Sequence, residues 1–255
     1  MERVLTVKEV QEIFKRENLD RVNEISDRDV SLNSGFYVNY GKRFIDLCIA
    51  IPVLVLTAPI NFLLACITLV DVGVPVIFRQ KRTGKDGKPF TLIKFRNMRN
   101  TTDETGNLLP PSQRVTKFGK FVRTTSLDEL LNFWNVLKGD MSIIGPRPLP
   151  SSFDPYYSEY HKKRWLVRPG LECPSLYQEN GDIRHYDKQL DNDVWYVENV
   201  SLITDFKLMI RLVKMVFNKS QRKYHAVVDG GDFVGYDKNG RAINYKTGIS
   251  IINHE

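Results

Sequence analysis

The stretch at residues 44–70 constrains the fold of this chain more than any other part of the sequence, because it is almost continuously apolar. It is longer than the roughly 20 residues that a helix needs to cross a bilayer. Pro52 and Pro59 lie inside it, and an interior proline removes a backbone hydrogen bond and bends a helix. We therefore predict a membrane helix that is broken at Ala58 and Pro59.

Basic residues flank this stretch on both sides: Lys42, Arg43, Arg79, Lys81 and Arg82. Positive charge favours the cytoplasmic side, so a helix that turns back at Pro59 satisfies both flanks. We predict a re-entrant helix over residues 41–73, with a kinked single span and a buried soluble helix as the alternatives. Asp46 would then lie at headgroup depth and pair with Lys42 or Arg43.

The composition indicates a folded protein with an anionic partner. Of 255 residues, 42% are hydrophobic and 26% are charged, and the net charge of +7 favours nucleic acid, an anionic membrane surface or a phosphorylated substrate. The sequence has no recognition helix or aromatic RNA-binding motif, so nucleic acid is not expected as a partner. Its cysteines and histidines lack the spacing of a metal site or a disulfide framework, which fits a reducing compartment.

The chain divides into four predicted segments. Residues 1–40 contain a short amphipathic helix and form an accessory segment, and residues 41–73 form the membrane helix. Residues 74–219 form the main, compact domain, and residues 220–255 form a polar tail with strand-like runs at 233–236 and 249–252. The expected fold class is mixed α/β and mostly helical, with amphipathic interfacial helices and a short β-hairpin.

Two further elements are predicted near the membrane surface. Residues 76–78 and 90–95 have the pattern of two strands around a turn at 84–87, a basic hairpin that faces anionic headgroups or solvent. From Asp205 onward, apolar residues line one face of a basic helix, which lies either in the membrane interface or against the core. That face comprises Phe206, Met209, Ile210, Val213 and Phe217.

The segment 124–148 brings two adjacent acids and a rigid arginine into a short span. Ser126 and Glu129 have the spacing of a capping box, which predicts a helix whose first turn holds Asp128 and Glu129. Such acids are common at helix starts because of the helix dipole. One of them could also act as a nucleophile while the other binds a metal. Prolines on either side of Arg147 fix a guanidinium suited to phosphate. The buried stripe of the helix would be Leu127, Leu130, Leu131 and Trp134.

The motifs from Lys42 to Asp205 resemble those of a known family, the bacterial sugar transferases of the monotopic polyprenyl-phosphate phosphoglycosyl transferase type. The resemblance rests on motifs that occur in one order along the chain. They are K-R-x-x-D from Lys42, F-R-Q from Phe78, K-F-R-x-M from Lys94, R-x-T-S-L-D-E-L from Arg123, W-N-V-L-K-G-D-M-S from Trp134, I-G-P-R-P from Ile144, V-R-P-G from Val167 and N-x-S-L from Asn199.

This resemblance implies an enzyme that transfers a phosphosugar from a UDP-sugar to a polyprenyl phosphate, commonly undecaprenyl phosphate, and releases UMP. Such a reaction begins the assembly of a membrane glycan. The expected location is the bacterial inner membrane, with a monotopic anchor in contact with anionic lipids. The catalytic domain, residues 74–219, would face the cytoplasm, and a homodimer is an open possibility.

The resemblance also assigns roles to residues of this chain. It implies that Asp128 is the nucleophile that attacks the β-phosphorus, and that Glu129 together with Asp128 positions Mg²⁺ or the acceptor. The implied substrate-binding residues are Arg123, Arg147, Pro146, Pro148, Lys94 and Arg96.

Two departures from the family pattern are visible. The family has Ser-Pro at the helix break where this chain has Ala58 and Pro59. After the R-P-G motif, residues 172–181 also differ from the usual sequence in a region expected to touch the sugar. This second departure motivates an alternative hypothesis, a catalytically degenerate membrane-tethered scaffold of a glycan-assembly pathway.

Overall fold

A computed structural model describes residues 5–26, 28–175, 185–217 and 231–254. The chain is mostly helical with a few short strands, as predicted. The helices are α1 (Val7–Ile25), α2 (Lys42–Asp71), α3 (Pro111–Arg114), α4 (Lys117–Thr124), α5 (Asn132–Lys138), α6 (Glu159–Lys162), α7 (Tyr186–Asn199), α8 (Leu202–Phe217) and α9 (Tyr245–Ile252). The strands are β1 (Ile77–Thr83), β2 (Pro89–Phe95), β3 (Ser142–Ile144), β4 (Gly170–Glu172), β5 (Phe233–Tyr236) and β6 (Ala242–Asn244).

Helix α2 is the long apolar helix that the sequence predicts. Its 30 residues form one continuous α-helix that includes Pro52 and Pro59. Within the part of the chain that the structure describes, it belongs to the one helix that is long and apolar enough to cross a membrane. Large apolar side chains along its middle are exposed: Ile51, Val55, Leu56, Ile60, Phe62 and Leu63. The helix fits a membrane anchor, and the reversal at Pro59 stays a prediction.

The polar residues at the start of α2 point into the protein. Lys42 Nζ lies 2.6 Å from Asp205 Oδ2 of α8. Asp46 is only 2% exposed, and its Oδ1 accepts hydrogen bonds from Ser142 Oγ and the Ile143 backbone N–H, both at 2.9 Å. The expected direct pairing of Asp46 with Lys42 or Arg43 is wrong, because β3 supplies its hydrogen-bond donors, although the charge of Lys42 still favours the ionised form of Asp46. Its position at headgroup depth stays a prediction.

The other end of α2 contacts the same domain. Leu64 packs in a buried cluster with Phe95 of β2 and Val122 of α4. At the last turn, Asp71 Oδ2 accepts a hydrogen bond from Thr116 Oγ1. Both ends of the membrane helix are thus fixed to one folded body, while its middle is exposed.

The predicted basic hairpin is present and longer than expected. Strands β1 and β2 pair antiparallel in register from Ile77 with Phe95 to Thr83 with Pro89. Elsewhere, β3 pairs parallel with β4, and the two backbones meet closely where these strands end. A Cβ atom on Gly170 would lie 2.1 Å from the Gly145 nitrogen, so only glycine fits at this crossing.

Helix α8 combines both orientations that the sequence left open. Leu208 is fully buried, and Met209 and Leu212 pack against the central core. Other apolar side chains of α8 are exposed: Leu202, Ile203, Phe206, Ile210 and Val213. A helix with one apolar face in the core and further exposed apolar residues suits a position at a membrane interface. The side chain of Phe217, also predicted for this face, lies outside the described residues.

The two ends of the chain pack together. Val10 and Phe14 of α1 form a buried cluster with Val234 of β5 and Ile243 of β6. Gln11 Nε2 also donates a buried hydrogen bond to the Phe233 carbonyl at 2.7 Å. The accessory segment and the tail therefore form one unit, although tail residues 220–230 lie outside the described part.

One of the two predicted tail strands is confirmed. Residues Phe233–Tyr236 form β5, whereas the predicted strand at 249–252 is wrong because these residues end α9. Asn244 caps this helix by accepting a hydrogen bond from the Thr247 N–H.

We predict that Phe14→Ala weakens the packing of α1 against β5 and β6. Phe14 is only 3% exposed, and truncation of a buried phenylalanine costs about 3–5 kcal/mol. We expect faster tryptic cleavage at Arg241, measured by limited proteolysis of the full chain in detergent. Glu17→Ala, on the exposed side of α1, is the matched control. Equal cleavage rates in the two variants would contradict the packing role of Phe14.

Candidate active site

Asp128 lies in a short 3₁₀ turn, Leu127–Glu129, between α4 and α5. The predicted capping box is wrong, because Ser126 has a left-handed backbone with φ of 57° and makes no side-chain cap. An N-cap side chain reaches the helix N–H groups from an extended backbone, which Ser126 lacks. Leu127 instead packs beside the cluster of Phe95 and Val122, and this contact orients the turn.

The buried stripe predicted for this helix is only partly present. Leu127, Leu130 and Leu131 are partly buried and pack against that same cluster. Trp134 is 51% exposed and does not belong to it. The helix proper starts only at Asn132, and this later start changes which residues face the core.

Asp128 is a buried carboxylate, 4% exposed. Its Oδ2 accepts a hydrogen bond from Asn97 Nδ2 at 2.7 Å. Burial raises the pKa of Asp128 to about 6, and the neighbouring charge of Glu129 acts in the same direction. Lys94 and Arg123 lower this pKa and so favour the ionised form. Asp128 is therefore an acid that ionises close to neutral pH.

Glu129 faces the arginine of the P-R-P motif. Arg147 Nη2 lies 2.7 Å from Glu129 Oε1, and Arg147 Nη1 lies 3.3 Å from Glu172 Oε2. The charge of Glu129 holds the pKa of Arg147 above its usual range, with a further contribution from Glu172. The guanidinium is thus held between two carboxylates, one from the turn before α5 and one from β4.

Backbone contacts of the two prolines fix the position of Arg147. The Pro146 carbonyl accepts a hydrogen bond from the Gly170 N–H at 3.0 Å. The Pro148 carbonyl accepts one from Arg82 Nη1 at 2.9 Å. The backbone on both sides of Arg147 is therefore fixed by hydrogen bonds to β4 and to β1.

A cavity of about 260 Å³, here called the Asp128 cavity, collects most of the predicted residues. Its charged lining residues are Lys94, Arg123, Arg147, Asp128, Glu129 and Glu172. Burial lowers the pKa of Lys94, while the charges of Glu129 and Asp128 oppose that shift. Leu130, Phe133, Leu171, Leu212 and Met215 supply apolar walls. Three cations therefore face three carboxylates in one cavity.

Arg96, also predicted to bind substrate, occupies a different place. Its guanidinium donates hydrogen bonds to the backbone carbonyls of Val72 and Val74, just after the membrane helix. It lines a neighbouring cavity, not the Asp128 cavity. The contacts of Arg96 thus join β2 to the end of α2.

Sequence reasoning missed two residues of this site. Asn97 contacts Asp128 directly, and the K-F-R-x-M motif that contains it was the available signal. Glu172 contacts Arg147, and its position at the start of the altered segment was the corresponding signal. Asn97, just after β2, reaches Asp128 through tertiary packing, and Glu172 reaches Arg147 through the pairing of β3 with β4; a linear pattern reveals neither contact. Residues 176–181 of the altered segment lie outside the described part.

The donor set of the Asp128 cavity fits Mg²⁺. Carboxylate oxygens are ligands that Mg²⁺ prefers, and it is commonly held by one or two carboxylates together with substrate phosphates. Asp128 and Glu129 supply two such carboxylates. Among the described residues, no group of three or more His, Cys, Asp or Glu side chains has the arrangement of a metal site.

Comparisons with known proteins match most of this chain. The family model for bacterial sugar transferases matches residues 37–219. The chain is 43% identical over 176 residues to the sugar transferase EpsL of Bacillus subtilis, covering 69% of this chain and 86% of EpsL. It is 37% identical over 191 residues to the UDP-glucose:undecaprenyl-phosphate glucose-1-phosphate transferase of Klebsiella pneumoniae, covering 70% of this chain but 41% of that protein.

An enzyme of the same name from Caulobacter vibrioides is 35% identical over 186 residues, covering 69% of each chain. The match to a family model over most of the chain, together with these identities, assigns the chain to a family. The protein belongs to the bacterial sugar transferase family.

Proposed function

We propose that this protein transfers a sugar phosphate from a UDP-sugar to undecaprenyl phosphate, releases UMP and thereby starts the assembly of a membrane polysaccharide. The names of the Klebsiella and Caulobacter relatives, with UDP-glucose and undecaprenyl phosphate as substrates, support this reaction class. The observation that carries the proposal is the buried Asp128 beside the Glu129–Arg147 pair in one cavity.

In the first step, the Asp128 carboxylate attacks the β-phosphorus of the UDP-sugar. A bond forms between Asp128 and this phosphorus, and the bond from the phosphorus to the bridging oxygen breaks, so that UMP leaves with the electron pair. An anion must approach a diphosphate here, and Lys94, Arg123 and Arg147 offset the repulsion. The hydrogen bond from Asn97 fixes the carboxylate before the substrate arrives.

We propose that Asp128 and Glu129 also hold Mg²⁺ together with the diphosphate. When bound, the metal would neutralise negative charge on the phosphate oxygens and on the leaving UMP. Arg147 orients Glu129 for this role, because the two side chains form an ion pair at 2.7 Å.

In the second step, a phosphate oxygen of undecaprenyl phosphate attacks the same phosphorus. The bond to Asp128 breaks, the carboxylate is regenerated, and the product is a lipid-linked diphosphosugar. The acceptor is lipid-borne, so the site must lie at the membrane surface. The exposed apolar residues of α2 and α8 provide such a surface on this chain.

The contacts of α2 support a re-entrant position in the membrane. Arg43 donates hydrogen bonds to the carbonyls of Val136 and Leu137 in α5, while Leu64 packs in the cluster that includes Leu131. A straight helix from Arg43 to Leu64 would be about 32 Å long, whereas α5 is only about 10 Å long. Both ends come close to the short segment 131–137 if the helix bends, as interior prolines allow.

The alternative of a degenerate scaffold is not favoured. Asp128, Glu129 and Arg147 all line the same cavity, and Asp128 has the raised pKa of about 6 that is common among catalytic acids. A scaffold has no need for a buried carboxylate of this kind. The altered segment after β4 bears instead on which sugar is accepted.

We predict that Asp128→Asn lowers UMP release by at least about a thousandfold, because an amide cannot replace the nucleophilic carboxylate. The measurement is UMP formation from UDP-glucose, UDP-galactose and their N-acetylamino forms with Mg²⁺ and undecaprenyl phosphate. EDTA should stop release by the unchanged protein. Asp103→Asn makes the same chemical change in an exposed loop and should keep full activity. Near-normal release by the Asp128 variant would exclude it as nucleophile.

We predict that kcat/KM for UMP formation rises with pH through about 6, as Asp128 ionises. Glu129→Gln removes a like charge and lowers the pKa of Asp128, so the rise of kcat/KM, the acid limb of the profile, moves to lower pH. Lys94→Gln removes an opposite charge, raises that pKa and moves the limb to higher pH. Glu104→Gln, in an exposed loop, should leave the pH of the acid limb unchanged. Shifts of the Glu129 and Lys94 variants in the same direction would contradict this assignment.

For the membrane topology, we predict that both flanks of α2 are cytoplasmic. Tyr40→Cys and Val74→Cys place exposed thiols on the two flanks, in a background that lacks Cys48 and Cys66. Neither thiol should react with an impermeant maleimide in intact cells, and both should react after permeabilisation. Labelling of one position in intact cells would show that α2 spans the membrane.

A further inference from the structure

A second cavity of about 240 Å³, here called the basic cavity, lies next to the Asp128 cavity. The two cavities share Lys94 and Arg123. Its other lining residues come from the hairpin and from the segment before α4: Phe78, Gln80, Phe95, Arg96, Asn97, Met98, Asn100 and Arg114. The reaction proposed above assigns it no role.

The two cavities differ in charge. The Asp128 cavity has three carboxylates among its lining residues, whereas the lining of the basic cavity contains four cations and no carboxylate. A diphosphate that brings Mg²⁺ suits the first arrangement, because the metal needs carboxylate oxygens. A phosphomonoester that comes without a metal suits the second, because only cations face it.

Arg114 brings a guanidinium to the lining of the basic cavity. Its positive charge adds to those of Lys94, Arg96 and Arg123 in the same lining. Together these four cations create a field that favours an anionic ligand.

The basic cavity is adjacent both to the reacting acid and to the membrane helix. Asn97 lines it and also donates a hydrogen bond to Asp128 at 2.7 Å, so its side chain lies between the two cavities. Arg96, another lining residue, donates hydrogen bonds to the carbonyls of Val72 and Val74 just beyond α2.

We propose that the basic cavity binds the phosphomonoester of the lipid acceptor, with Arg114 as a contact to its oxygens. This inference rests on the proposed function. From this position a phosphate oxygen attacks the phosphorus held on Asp128, a new phosphorus–oxygen bond forms, and the bond to Asp128 breaks with the electron pair returning to the carboxylate. The nucleotide uses the Asp128 cavity in the first step, and the acceptor approaches from the basic cavity in the second.

Arg114→Gln tests this assignment by separating the two half-reactions in the detergent-solubilised full chain. Without undecaprenyl phosphate, one UMP per enzyme should form at an unchanged rate. With the acceptor present, the KM for undecaprenyl phosphate should rise about 10-fold to 100-fold, the effect of losing a hydrogen bond to a charged group, while the KM for the UDP-sugar stays constant. Lys117→Gln removes a nearby exposed charge outside both cavities and is the matched control.

A binding measurement keeps the test independent of activity. Native mass spectrometry should show weaker binding of undecaprenyl phosphate to Arg114→Gln than to Lys117→Gln, with equal binding of UMP. Asn100→Asp, at an exposed position of the cavity, adds a repelling charge and should have the same effect without disturbing the core. Unchanged lipid binding in both cavity variants, or a loss of UMP binding instead, would overturn the proposal. Absence of UMP release by the unchanged protein would refute the proposed function, whereas the lipid-binding result would still decide the role of the cavity.

Discussion

The ion pairs of Arg147 hold the active site together. One guanidinium nitrogen binds Glu129 in the turn before α5, and another lies near Glu172 of β4. The Arg147 carbonyl also accepts a hydrogen bond from Arg164, which is itself paired with Asp193 of α7. The Arg164–Asp193 pair is buried, and removing one partner of a buried ion pair leaves an uncompensated charge, so these segments depend on one another. The site is thus preorganised before any phosphate binds.

The membrane helix is attached to this site through polar contacts that face away from lipid. Lys42 pairs with Asp205, Arg43 binds carbonyls of α5, and Asp46 accepts donors from β3. Charged groups are costly in hydrocarbon, so these contacts satisfy them inside the protein while apolar side chains face outward. The Tyr196 hydroxyl adds a hydrogen bond to Asp205 at 2.6 Å. The position of the helix in the bilayer is thereby coupled to the position of α5, which follows Asp128 directly.

The sequence predicts those features that depend on local pattern. The long apolar helix, the basic hairpin and the strand at Phe233–Tyr236 follow from composition and alternation, and the structure contains all three. Features set by distant contacts were not predictable. Ser126 adopts a left-handed backbone in spite of its capping-box spacing, and Asp46 finds its partners about a hundred residues away in β3. Local pattern brings Asp128 and Glu129 together, but only strand pairing brings Glu172 to Arg147.

The net charge of +7 bears on ligand binding through its distribution between the two cavities. Cations in the Asp128 cavity face carboxylates, so their charge is partly balanced and leaves room for a metal-bound diphosphate. Cations in the basic cavity lack such partners among its lining residues, so their field favours an anion that carries no metal. Lys94 and Arg123 line both cavities, so in the proposed reaction they would act on the phosphate of either step. A reaction in two steps, each with a different phosphate, requires such a shared pair of cations beside a single nucleophile, because the same phosphorus must be stabilised during both attacks.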